Sequence, residues 1–249
     1  MDTTVKTFKN NIESVEKLIN FDREVLNIAI DSIEDLHDLL VNREKITNDH
    51  MNGKRTLDIL NGIRTNDSLK LRYSIINNQA IVLLVSYFSS ALADLFRQAS
   101  KIAVENHKDK RVLDEELKLK INDLINLGAS FGDIIGDLLI SKNSISFQDM
   151  KSVQREFKKY FGINIEKDTI VNNIILGQAC RHSIAHEAGV VNSRVINQLK
   201  SAVPREIKSV LNEGDTIKFS EDEIKAISSS MLTYINNLSA KVKEYDKTL

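Results

Sequence analysis

Cysteine is nearly missing from this chain. Cys180 stands alone, so neither an intrachain disulfide nor a thiolate zinc cluster can form, and a reducing, cytoplasmic setting is expected. Proline occurs once, at Pro204, and glycine nine times in 249 residues, far below their usual combined share of about 12%. That scarcity argues against many-turned β sandwiches and collagen-like repeats. Tryptophan is absent, and neither sign of charge is in excess, with 34 Lys+Arg against 35 Asp+Glu. A net charge of −1 gives no molecule-wide basic field to gather nucleic acid, so any such contact must be local. Long apolar runs are missing too. The stretch from Met1 to Asn10 lacks the apolar block of a signal peptide, and Ala80 to Val85 falls far short of the roughly 18 residues a membrane span needs. A soluble protein with no membrane partner is expected.

What the chain does contain is helical periodicity. Hydrophobic residues make up 42% and charged residues 28%, ordinary globular usage. Val5, Phe8, Ile12, Val15, Ile19, Leu26, Ala29, Ile33, Leu36 and Leu40 recur at helical spacing, with Asp22 in one expected apolar slot. They predict a long amphipathic helix with a coiled-coil-like seam, packed on the rest of the chain or on a second subunit. Asn and Gly thicken between Asn42 and Asp67, which marks a connector with at most one short helix near Arg55 to Leu60. A loose division follows, with an N-terminal helix and connector over 1–66 and a helical domain over 67–249.

Ser68 can cap a second long helix to about Asn106, apolar on nearly every side from Ala80 to Leu95 and so suited to the centre of a bundle. Further helices are expected from Val112 to Leu127, from Phe131 to Ile140, from Ser146 with Asp149 to a stop at Gly162, and from Asp168 to Glu187. Ser193 to Ala202 reads as a short helix, Asp215 to Phe219 as a short extended segment, and Ser220 with Glu223 as a capping box for a terminal helix to about Tyr245. The fold class is all-α, a bundle of six to eight helices.

Two places carry candidate chemistry. Lys151, Arg155 and Lys158 lie at i, i+4, i+7 with Lys159 adjacent and Phe157, Tyr160 and Phe161 interleaved. This is a solvated outer face or a surface that tracks phosphates. The segment Cys180-Arg181-His182-Ser183-Ile184-Ala185-His186-Glu187 holds two of the five histidines beside an arginine. On a helix, His182 and His186 sit about 40° apart, whereas Arg181 and His186 are separated by about 140° and roughly 7.5 Å of rise. Three readings compete. Histidines at i, i+4 suit a metal, but Ser183 stands where a zinc helix has its general-base Glu, and spacing suggests no third ligand. The imidazoles can instead serve the helix C-terminus while Arg181 pairs with a carboxylate. The third reading is acid/base catalysis on a phosphodiester, the arginine clamping the phosphate. Cys180 reads as a packed small hydrophobe, and His37, His50 and His107 have no companions in sequence.

Arg181, a polar His182, three residues and His186 resemble the Arg-polar-x3-His signature of the HEPN superfamily. The run His186-Glu187-Ala188-Gly189-Val190-Val191-Asn192 is similar to the His-x-x-Gly-x-Val tail of its RiboL-PSP-HEPN branch. The apolar helix around Ala80 to Leu95, the stretch Phe147 to Phe161 and the run Gly214 to Ser220 fall in the expected order, so the resemblance covers about residues 70 to 240. It implies a helical domain that dimerises with its motif helices together, and in active members a metal-independent RNase without cofactor, often a toxin or an antiviral abortive-infection effector. It implies an RNA substrate, with a tRNA loop as a narrow target, and an antitoxin or defence-system protein as partner. In that chemistry His186 takes the proton of a ribose 2′-OH, Arg181 steadies the phosphorane charge, and His182 supports. The alternative is a non-catalytic scaffold or nucleotide-binding regulatory module. Glu187 beside His186 repels phosphate unless it is paired or turned away.

Overall fold

The computed structural model describes residues 1–42, 52–65, 70–106, 109–117 and 131–248. The chain is all-α. Among the described residues nine helices follow one another: α1 (Asp2–Asn42), α2 (Asn52–Thr65), α3 (Lys70–Glu105), α4 (Lys110–Leu113), α5 (Phe131–Lys142), α6 (Met150–Phe161), α7 (Thr169–His186), α8 (Ser193–Leu199) and α9 (Glu221–Thr248). Asn48, His50, Asn66, Asp67, Ser68, His107 and the stretch 118–127 lie outside the described residues.

α3 is the axle of the bundle, because it is apolar all round and only a surrounding ring of helices can bury such a surface. Ala80, Ile81, Leu84, Phe88, Leu92, Leu95 and Phe96 are each 0% exposed, and α1, α5, α6, α7 and α9 all pack on this helix. By length and composition Tyr73–Glu105 is also the one helix among the described residues apolar enough to cross a membrane. Counting uninterrupted apolar residues misses this, because serines and tyrosines punctuate the helix without making it polar. Half of its most apolar stretch is buried inside the bundle.

Periodicity places α1, and of its two expected partners the structure shows the rest of the chain. Phe8, Ile12, Val15 and Ile19 belong to the same core cluster as α3 and α9, so a division at residue 66 cuts through shared core. Beyond Ile19 the helix, about 60 Å long at 1.5 Å per residue, carries α2 on one side. Phe21, Val25 and Ile28 stand in solvent there.

Caps close several helices where local chemistry predicts them. Ser220 and Glu223 reciprocate, the Ser220 N–H donating to Glu223 Oε2 at 2.9 Å and the Glu223 N–H to Ser220 Oγ at 3.2 Å. Asp168 accepts from the Val171 N–H at 2.8 Å and starts α7. Gly162 ends α6 at φ 67°, a backbone that side chains disfavour. Ser146 does not cap α6, since Asp149 does so by accepting from the Ser152 N–H at 2.9 Å.

One expectation needs correction. The helix from Val112 onward stops at Leu113, and residues 115–117 are not helical. Glu115 is drawn across the fold instead, accepting from Lys159 Nζ at 2.9 Å and from the Tyr160 hydroxyl at 3.1 Å. The Lys159 ammonium beside it holds the Glu115 carboxyl below its ordinary pKa, against the opposing effect of burial. Asp215 to Phe219 is the short extended segment expected. It makes one antiparallel bridge, Thr216 to Val190, and is fastened to α3 by Asn77 and Asn78, whose amides donate to Phe219 O at 2.9 Å and Ile217 O at 2.8 Å.

Gly136 marks the crossing of α5 over α3. A Cβ there would lie 2.6 Å from Arg97 Cα, a backbone atom that cannot step aside. Gly136→Ala gains about 1 kcal/mol of helix propensity but forces the helices apart, and overpacking of this kind costs about 1–3 kcal/mol. A lower urea midpoint is expected, and an unchanged or higher one would show that α5 is free to shift.

Candidate functional site

The end of α7 is built from both ends of the chain's second half. Helix 169–186 is buried along Val171, Ile174, Leu176, Ala179, Cys180 and Ser183, so only its last turns reach the surface. There the helix stops abruptly. The Gly189 N–H and the Glu187 N–H both donate to Ser183 O at 2.9 Å, and the chain reverses through Ala188 and Gly189 at φ 53° and 72°. Gly189 is the residue type this left-handed turn favours. Val191 then buries (1% exposed), and Asn192 caps α8 by accepting from the Val195 N–H at 3.0 Å. The Ile217 N–H donates to Gly189 O at 2.8 Å and the Val191 N–H to Asp215 O at 2.9 Å, so the turn is stitched to the segment that Asn77 and Asn78 hold. Gly189, Val191 and Asn192, the tail of the motif, therefore build the helix end and its exit.

On that end the two imidazoles lie together, ring centroids 5.0 Å apart and tilted by 52°. His186 is exposed, and its side chain has no hydrogen-bond or ion-pair partner among the described residues. His182 is held. Arg194 Nη1, on α8, stands 3.1 Å from His182 Nε2. A guanidinium can only donate, so this contact needs an unprotonated Nε2 and places the ring proton of neutral His182 on Nδ1. Glu187 Oε1 lies 3.8 Å from the same nitrogen. Its other oxygen accepts from Ser183 Oγ at 3.3 Å and from Asn192 Nδ2, so hydrogen bonds tie down the carboxylate that would repel a phosphate.

Arg181 points away from His186, as the helical angle requires, and lines a pocket of about 400 Å³ between α6, α7 and α8. Small-molecule sites run from about 300 to 1,000 Å³. His182 lines the pocket as well, and so do Lys151 and Arg194, whereas His186 lies outside its wall. No carboxylate pairs with Arg181, Lys151 or Arg194 among the described residues, which removes the structural role in which Arg181 neutralises a buried acid. Asp149 is the acidic member of the wall and is engaged as the α6 cap. Of its apolar residues, Val85 and Met150 are buried and only Ile175 is half-exposed. Gln178, 8% exposed and in the same wall, leaves its Nε2 without a partner, a situation that costs about 1–3 kcal/mol.

The basic stripe of α6 does not act as one surface. Lys151 turns into the pocket, Arg155 is 2.7 Å from the buried Glu156, Lys159 is held by Glu115 and the Tyr160 hydroxyl, and Lys158 remains exposed. The interleaved aromatics are not available for base stacking. Phe157, Tyr160 and Phe161 pack around Phe96 in the core, with ring centroids 5.1 to 5.7 Å away.

Cys180, 0% exposed, is a packed side chain: burial pushes its thiol up to about 12, which leaves it inert as a nucleophile. Among the described residues no group of three or more His, Cys, Asp or Glu side chains is placed to hold a metal ion. Sequence spacing missed Arg194 and Gln178. Gln178 precedes His182 by four residues on one helical face, a signal available in principle, but Arg194 reaches the site across a chain reversal that no periodicity encodes.

Comparison with protein-family models, with curated proteins and with solved structures finds no match for this chain.

Proposed function

We propose that the chain is a metal-independent endoribonuclease of the HEPN type, acting as a homodimer in the cytoplasm and serving as a toxin or antiviral effector. One observation carries the reading: two imidazoles 5.0 Å apart at an exposed helix end, with Arg181, which no carboxylate neutralises among the described residues, on another face of the same last turns. A twofold axis past the end of α7 would bring two such sets into one cleft. His186, free of partners among the described residues, takes the 2′-OH proton as the 2′ oxygen attacks phosphorus. The P–O5′ bond breaks, the 5′ oxygen leaves with the proton that the His186 imidazolium, base first and then acid, gives up, and a 2′,3′-cyclic phosphate remains. Arg181 donates to the non-bridging oxygens where charge gathers. His182, its Nε2 turned to Arg194, orients rather than abstracts. An antitoxin or defence-system protein would be the partner that restrains such an enzyme.

The test is cleavage of total cellular RNA and purified tRNA in EDTA, with fragment ends analysed. Cyclic 2′,3′-phosphate ends and intact DNA are expected. The absence of cleavage across RNA types, with cell extract added, would overturn the reading. That outcome favours a second one, a non-catalytic interaction module, for which the exposed Phe21, Val25 and Ile28 of α1 speak.

A further inference from the structure

α1 has two apolar faces, and the fold covers one of them. The side that packs on α2, α3 and α9 buries Val15, Ile19 and Ile30. Leu18, Phe21, Val25, Ile28, Leu36 and Leu39 are exposed instead, Phe21 by 61% and Ile28 by 65%. At 100° per residue these six fall within about 80° of the helix circumference, and from Leu18 to Leu39 they run for about 31 Å. Single exposed hydrophobes are ordinary, whereas an aligned apolar stripe is what a helix presents to a partner.

Charge states what kind of partner fits. Glu24, Asp31, Asp35 and Asp38 follow one edge of the stripe, within about 60° of one another on the helix circumference. All four are exposed, and none has an ion-pair partner among the described residues. From Leu18 to Leu39 the sole Lys or Arg is Arg23, and it is turned to Glu221 and to the ring of Tyr73. An acidic edge repels a phosphate backbone or an anionic lipid surface. A second copy brings no cation either. Antiparallel pairing through the stripe sets acidic edge on acidic edge, and parallel pairing sets it on the edge of Asp22, Ala29 and Leu36.

We infer that the outer stripe of α1 docks a helix of another protein, amphipathic, about six turns long and with Lys or Arg beside its apolar side chains. Leu18, Phe21, Val25 and Ile28 are the anchors, at i, i+3, i+7 and i+10. The carboxylate edge selects the basic partner. This surface is independent of RNA cleavage, since α1 carries none of the Arg181 and His186 motif.

Two synthetic helices of about 22 residues serve as probes. Both have a Leu/Ile stripe at helical spacing, flanked by Lys in one and by Glu in the other. Fluorescence anisotropy reads their binding to the full chain, to a Phe21→Ser/Ile28→Ser variant and to a Glu24→Lys/Asp31→Lys/Asp38→Lys variant, and sedimentation velocity gives the oligomeric state of each. The substituted side chains are exposed, so unchanged melting temperatures are expected. Wild type should bind the Lys peptide about tenfold or more tightly than the Glu peptide, with less discrimination as salt rises. The serine variant should lose both peptides, and the lysine variant should reverse the preference.

Binding of neither peptide, equal affinity for the two, or a preference that the lysine variant leaves unchanged overturns the docking surface. So does a wild-type oligomer that the serine variant splits into monomers, because the stripe then belongs to a second copy. A chain that cleaves no RNA but shows this peptide preference keeps the docking surface and loses the ribonuclease reading. One that cleaves RNA and shows no preference does the reverse.

Discussion

His186→Ala is expected to lose about 10²–10⁴-fold of RNA cleavage, the range for removing a general acid–base group, while its melting temperature stays within error of the wild type. The separation follows from position. His186 is exposed and has no hydrogen-bond partner among the described residues, so its loss leaves nothing buried and unsatisfied. Arg181→Ala should lose about 10²–10³-fold, as for a donor aimed at developing charge, again with little change in stability because no ion pair is broken. Replacing His182 should cost less, since its Nε2 already faces Arg194. A His186→Ala protein that cleaves at the wild-type rate would remove the motif from catalysis. One that melts markedly lower would make the side chain structural.

The largest effect on stability is expected at Phe96. This ring is 0% exposed and meets Phe147, Phe157, Tyr160 and Phe161, with centroids at 5.5, 5.7, 5.6 and 5.1 Å. Phe161 passes the contact on to Tyr245 of α9 at 5.6 Å, so one side chain ties α3 to α6 and, through it, to the C-terminal helix. Phe96→Ala removes the hub and leaves a cavity, costing about 3–5 kcal/mol, a large part of the roughly 5–15 kcal/mol by which domains are stable. Urea unfolding should show it as a midpoint shift. A loss under about 1 kcal/mol would mean that the four rings collapse into the space, contrary to the close packing of protein interiors.

Part of this architecture is legible in the amino-acid sequence. The capping box at Ser220 and Glu223, the Asp168 start of the motif helix and the left-handed Gly162 are decided by groups within a few residues of each other, where sequence spacing is geometry. The same holds for the angle that sets Arg181 apart from His186, since 3.6 residues per turn fixes it whatever surrounds the helix. The basic stripe of α6 is legible only as a stripe. Its spacing holds, but Lys159 is taken by Glu115, 44 residues away in sequence, and Phe157, Tyr160 and Phe161 are drawn to Phe96 rather than to solvent. The early end of α4 has the same origin. Glu115 favours a helix locally, but it is taken by Lys159 and Tyr160 of α6.

By itself the sequence determined that the chain is helical, where most of its helices begin and end, and that an arginine and two histidines share the last turns of one of them. Those outcomes rest on hydrogen bonds and periodicities that close within a turn or two. Tertiary structure alone decided which cations have no ion-pair partner among the described residues. Lys151, Arg181 and Arg194 come from three helices to one pocket, and whether a carboxylate meets each of them depends on distances across the fold that no local pattern records. The proposed chemistry rests on that difference, because an arginine paired to a carboxylate has less charge to offer a phosphate than an unpaired one.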